Sequence, residues 1–192
     1  NDIFKCGTIA GSAGNQAGVG GAVDTIVFNK TISAYLDNTD NIENSKFKNI
    51  DVLSIANTDL TVLAGAIGAS AKVGAGATIS TVVITKHINS LIQEGSSLTS
   101  DSIKLDTSAN DNITIAAVAG SGAGEIAGSG VVNTTVVNSE MKSGIDKSTI
   151  SAQNININTN AVANYDDISG AVAGAGAVGV GVTVTTNVIG YD

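Results

Sequence analysis

The chain has 192 residues, 43% of them hydrophobic but only 3% aromatic, with 23 Gly, no Pro and a formal net charge of −8. That length suffices for one domain with its own core, but three Phe, three Tyr and no Trp leave few large anchors for an ordinary globular one. The negative charge argues against nucleic acid or an anionic membrane surface as partner, since both need Lys and Arg to neutralise phosphate. Abundant β-branched residues and a mean hydropathy of +0.27 exclude a disordered chain.

Cys6 is the single cysteine, so an intrachain disulfide and a cysteine-based zinc site are both excluded. Asn1 stands where an initiator Met would, with no basic-then-apolar leader after it. The chain is therefore expected to be a piece of a longer protein.

Taken in order, the chain repeats itself. A partial unit over 1–43 ends in "TIVFNKTISAYL" from Thr25. A second unit, 44–96, holds "NIDVLSIANTDLTVLAGAIGAS" from Asn49 and "TVVITKHINSLI" from Thr81. A third, 97–148, holds "SIKLDTSANDNITIAAVAGSG" from Ser102 and "TVVNSEMKSGI" from Thr135. A further partial unit, 149–192, opens with "NININTNAVANYDDISGAVAGAG" from Asn154 and is cut off at "TTNVIGYD". Ile50, Ile103 and Ile155 correspond, as do Leu36, Ile92 and Ile145. A constant offset near 53 also aligns Val62, Ile115 and Ile168. The whole is read as one segment of such repeats.

Within each unit the period is two, which marks strand and not helix. Ile155 and Ile157 point one way, and Asn154, Asn156 and Asn158 the other. Between Ile168 and Val184, Val172, Val178, Val180 and Val182 share one face, opposite Ala171, Ala173, Ala175 and Ala177. Strand units without a self-sufficient core must stack to bury anything. The expected fold is all-β: a right-handed parallel β-helix, or β-solenoid, of roughly 53-residue repeats with Ala/Gly-rich strands, each repeat making two to three coils of about 20 residues. Turns are expected at "LDNTDN", "QEGSS", "SANDN" and "NYDD". The Ala/Gly runs are either closely packed coil strands or thin hairpins leaning on the solenoid; the pattern does not separate the two.

No residue set carries chemistry, and no catalytic, cofactor-binding or metal-binding residue is assigned. The run Ile168–Val184 has minimal length for a membrane helix, but its glycines and period of two favour packed strand over membrane insertion. "GSGAGEIAGSG" offers small-xxx-small spacing at Gly120, Gly124 and Gly128, yet Glu125 interrupts it. "GVGGAVD" from Gly18 and "GAGAVGVG" from Gly174 lack the helix and Lys-Ser/Thr pair of a phosphate loop. "GGAVD" falls short of the calcium nonapeptide. Asp166, Asp167, Asp106, Asp111 and Glu125 have no aromatic platform for sugar cleavage and read as turn and cap residues. His87, sole histidine, aligns with Thr31 and Glu140 and reads as an exposed strand residue without metal partners. Thr183 and Thr185 align with Ile79 and Thr81, so no flat threonine ladder is expected.

The units "DLTVLAGAIGASAKVGAGATISTVVITKHINSLI" (from Asp59), "NITIAAVAGSGAGEIAGSGVVNTTVVNSEMKSGI" (from Asn112) and "DISGAVAGAGAVGVGVTVTTNVIGYD" (from Asp167) resemble the repeats of giant bacterial exoproteins. These are the filamentous-haemagglutinin-like and autotransporter adhesins and the related leukotoxin of the two-partner secretion type. "SSLTSDSIKLDTSANDNITI" from Ser96 is similar to a haemagglutinin-type coil. The chain departs from them in longer Ala/Gly runs and the absence of arginine, and no functional residue carries over.

The resemblance implies a Gram-negative virulence protein, secreted or on the outer surface, exported unfolded and folding outside. The expected role is a non-catalytic stalk that presents or provides an adhesion surface, its partners a host-cell or matrix receptor and neighbouring repeats. The rival expectation is a cytolysin whose Ala/Gly/Val runs enter host membranes. Raw strand edges at the ends of such a piece favour end-to-end self-association.

Overall fold

The computed structural model describes residues 2–40 and 46–192. They form eight long strands: β1 (Asp2–Gly14), β2 (Ala17–Asp37), β3 (Phe47–Ser70), β4 (Val73–Gln93), β5 (Ser97–Ala123), β6 (Ile126–Ile145), β7 (Thr149–Ala175) and β8 (Val178–Tyr191). The odd-numbered strands make one parallel sheet in the order β1-β3-β5-β7, and the even-numbered strands a second, β2-β4-β6-β8. We call them sheet A and sheet B. The architecture is all-β, two parallel sheets stacked as in a solenoid, with no helix among the described residues.

Each passage along sheet A and back along sheet B is one coil. A strand of 20 or more residues occupies most of each sheet's width in the inner coils, so one repeat supplies one coil and not the two to three short ones expected from the sequence. The reason lies in the turns. "SANDN" and "NYDD" lie inside β5 and β7, where Asp111, Asn112, Tyr165 and Asp167 meet side-chain partners across the stack and serve no turn. The bends at the Ala/Gly end fall between strands at Asn15–Gln16, Ala71–Lys72, Gly124–Glu125 and Gly176–Ala177.

At that end, each bend stacks on the previous one: the Val73 amide donates to Gln16 O at 3.0 Å, that of Ile126 to Lys72 O at 3.0 Å and that of Val178 to Glu125 O at 3.0 Å. At the other end, Asn38, Glu94 and Lys147 take left-handed φ of 46°, 50° and 48°. Asn accepts that conformation readily, whereas Glu and Lys do so at some strain. Gly95, φ 81°, follows Glu94 and donates its amide to Lys147 O at 2.9 Å.

Register gives a second correction. Ile50 pairs with Ile103, and Ile103 with Ile155; Leu36 pairs with Ile92, and Ile92 with Ile145. Val62 also pairs with Ile115, but Ile115 pairs with Asp167, not Ile168. The segment between Ile145 and Thr149 is one residue shorter than that between Ile92 and Ser97, so everything beyond it shifts by one. A one-residue slip reverses every face: Ile168 points outward, 62% exposed, and Asp167 points into the stack.

The interior divides along the strands. Leu60, Val62, Val82, Ile84, Ile113, Ile115 and Val137 form the main apolar cluster, with Phe28 and Tyr165 against it in the end coils. Ile50, Val52, Ile92, Leu98, Ile103 and Leu105 form another near the left-handed connections. Between them, inward hydroxyls span the two sheets: Ser54 Oγ donates to Asn89 O at 2.6 Å, Ser90 Oγ to Asp106 O at 2.9 Å and Thr107 Oγ1 to Lys142 O at 2.9 Å.

Toward the bends the interior narrows to Ala and Gly. The Ala/Gly runs are coil strands on opposite sheets, paired with neighbouring coils and not with each other as hairpins. A Cβ at Gly179 would lie 2.7 Å from Ala173 O, and one at Gly181 2.7 Å from Ala171 O. Gly76 faces Gly120 O and Gly20 faces Ile67 O at still closer range. The two backbones thus meet far inside the usual spacing of about 10 Å between packed sheets.

Candidate interaction surface

Several charged side chains are engaged in structural pairs. Lys86 is paired with Asp111, both side chains fully buried, and Tyr191 Oη donates to the second Asp111 oxygen at 3.0 Å. Desolvation pushes the Lys86 ammonium below its ordinary value, and the Asp111 carboxylate offsets part of that. Burial first, and Asp111 second, push the Tyr191 phenol up. In the first coil Lys30 and Asp2 make the equivalent pair, in register with Lys86 and, through Thr58, with Asp111.

Asp167 is held by its neighbours: Asn133 Nδ2 donates to Oδ1 at 2.8 Å, Ser169 Oγ to Oδ1 at 2.8 Å and Asn187 Nδ2 to Oδ2 at 3.2 Å. Asp106 accepts from Asn158 Nδ2 at 3.2 Å and lies 3.1 Å from the Lys104 ammonium. Glu125 sits in a bend. His87 is outward, in register with Thr31 and Glu140, and its Nδ1 lies 3.0 Å from a Glu140 oxygen. Lys142 and His87 hold Glu140 below the usual carboxylate range. Cys6 lies 3.7 Å from Asp24 Oδ1; burial, then the Asp24 charge, push its thiol up, which disfavours the reactive thiolate. Among the described residues no group of three or more His, Cys, Asp and Glu is arranged to hold a metal ion. The glycines of "GVGGAVD" lie within β2, and those of "GAGAVGVG" run from the end of β7 through the bend into β8.

What remains is surface, and it is unusual. Outward positions of sheet A near the bends alternate large and small from coil to coil: Ile9, Gly65, Val118 and Gly170 in one column, Gly11, Ile67, Gly120 and Val172 in the next. Ile9 is 75% exposed and Val172 72%. Gly65 and Gly120 floor an apolar groove of about 370 Å³ walled by Ile9, Leu63, Ile67, Val118 and Val172.

Sheet B is more regular. Val23, Ile79, Val132 and Val184 form one outward column; Thr25, Thr81, Thr134 and Thr186 the next; and Val27, Val83, Val136 and Val188 the one after. A threonine ladder therefore exists, but not at the positions read from the sequence. Thr183 pairs with Val131 and Thr185 with Asn133, which pair in turn with Thr78 and Ser80. Applying the 52-residue offset of the last coil would have exposed the ladder at once.

No helix is long and apolar enough to cross a membrane among the described residues. The chain matches no family model, no curated protein and no solved structure.

Proposed function

We propose that this chain is a stretch of rigid, right-handed β-solenoid of roughly 53-residue repeats in a secreted or surface-exposed bacterial protein, and that it serves as a stalk presenting or providing a host-contact surface. Right-handed winding is the near-universal hand of parallel crossovers. The observation that carries the reading is the strand-on-strand stacking of four coils, with their Ala/Gly bends in register. Stacking of that kind extends by adding coils at either edge, so length and stiffness come without a separate core. The resemblance to adhesin repeats supplies the setting, and the exposed outer faces of the two sheets supply the surface. A host-cell or matrix binding assay with the 192-residue chain, against a version with outward residues of both sheets scrambled, tests the adhesive half. Saturable binding lost on scrambling is expected; equal binding by both reduces the role to spacer.

A second reading has its own support in the exposed Val and Ile columns. A secreted cytolysin would use such uncharged faces against host membranes. Dose-dependent dye release from liposomes by the chain alone would favour it over the stalk.

A further inference from the structure

We propose that the outer face of sheet B is a self-association surface that pairs two copies of this solenoid side by side. The inference goes beyond the stalk reading and needs only the stacked fold.

The face spans 17–29 on β2, 73–85 on β4, 126–138 on β6 and 178–190 on β8, and none of its outward residues is charged. Half of them are Val or Ile. Among the described residues the acidic side chains lie off this face: on the outer side of sheet A, as at Asp51, Asp59, Asp106 and Asp166, inside the stack, at or beyond the Glu140 column on sheet B, or in the bend at Glu125. Two copies can therefore meet here without bringing like charges together. Isolated exposed Val and Ile are ordinary, but a continuous uncharged sheet of them marks an interface.

Size and symmetry both favour a second copy. With the axis over the Thr25 column the uncharged faces overlap along 21–29 and their partners: nine residues along the strands cover about 30 Å and four strands about 19 Å, giving about 570 Å² per copy and about 1,100 Å² in all, above the roughly 1,000 Å² that a specific interface needs. The threonine column is flanked by two Val/Ile columns. A two-fold axis along the stacking direction, over the threonines, sets Thr against Thr and brings the Val27 column of one copy onto the Val23 column of the other. Under that operation both solenoids run the same way, so every further coil adds the same contact. Lipid is a poorer occupant: a line of hydroxyls crosses the face, and its bend edge carries Lys72 and Glu125.

The test is sedimentation of the 192-residue chain at tens of micromolar, with Val83→Lys/Val136→Lys as the variant. The wild type is expected as a dimer and the variant as a folded monomer by circular dichroism. A second measurement avoids charge altogether: in a Cys6→Ser background, Thr134→Cys should form an intermolecular disulfide on oxidation, and Thr114→Cys, outward on sheet A, should not. A monomeric wild type overturns the proposal. So does a dimer that survives the two lysines, since end-to-end pairing through strand edges would be untouched by them. Binding of a monomeric wild type to neutral phosphatidylcholine vesicles, lost in the variant, would assign the face to lipid and equally overturn it.

Discussion

The two halves of each coil bury themselves by opposite means. Toward the bends, Gly76, Gly179 and Gly181 face carbonyls of the opposite sheet, and the sheets touch backbone to backbone. Toward the left-handed connections the interior holds Ile, Leu and Val clusters around the Lys86–Asp111 pair. The thick half gains about 1.5–3 kcal/mol for each large apolar side chain it buries. The thin half has almost no side chain to bury and depends on ladder hydrogen bonds and close dispersion contact. The difference teaches where each half is vulnerable: the thick half to loss of a partner, the thin half to any added atom.

The largest effect should come from breaking the buried ion pair. Asp111→Ala leaves the Lys86 ammonium enclosed without its carboxylate, and a loss of about 3–5 kcal/mol is expected. Replacing both, Lys86→Met with Asp111→Leu, should bring stability back to within about 1 kcal/mol of the wild type or above it, as apolar replacements of buried pairs do. Urea unfolding followed by circular dichroism reads both. A single variant as stable as the wild type would show that water reaches the pair.

The thin half is tested by two glycines on opposite sides of one sheet. At Gly76, which faces the opposite sheet, Val would have to push Gly120 O away, and about 1–3 kcal/mol should be lost. At Gly128, which points outward and where an added Cβ would meet no atom within 4 Å, Val should stay within about 0.5 kcal/mol, as surface changes do. Equal losses at the two sites would mean that the sheets are not in backbone contact.

Much of this was legible in the sequence. Alternation at Ile155 and Ile157 and the recurrence of Ile50 at Ile103 located strands and repeats. The Ala/Gly runs announced close approach. Three things were hidden. A bend such as Gly124–Glu125 carries no signature distinct from the run around it, so a pair of strands read as one segment. The residue missing before Thr149 moved Ile168 and the threonine ladder out of line, because a period of two tolerates no error in register. Lys86 and Asp111 are 25 positions apart, on different sheets of successive coils, and nothing local links them.

The smallest expected effect lies where the halves meet, at Tyr165. Its hydroxyl sits 2.7 Å from Asn187 Oδ1, 3.1 Å from Thr135 Oγ1 and 3.2 Å from Asp167 Oδ2. Burial, and after it the Asp167 charge, push the phenol up to about 12 from an ordinary 10.0, while the Thr135 contact offsets part of the rise. The folded chain therefore holds this proton more tightly than the unfolded one. The stability it contributes is complete below about pH 10 and is lost as the pH climbs toward about 12. Tyr165→Phe should match the wild type in urea midpoint near pH 8 and lose less stability than it between pH 10 and 12. Lysine titration is common to both chains, so the difference isolates this one group. The difference in 295 nm absorbance between the wild type and Tyr165→Phe gives the independent reading: phenolate from Tyr165 should appear only near pH 12 or on unfolding, and its appearance at pH 10 in the folded chain would place Tyr165 in water and open the junction between the halves.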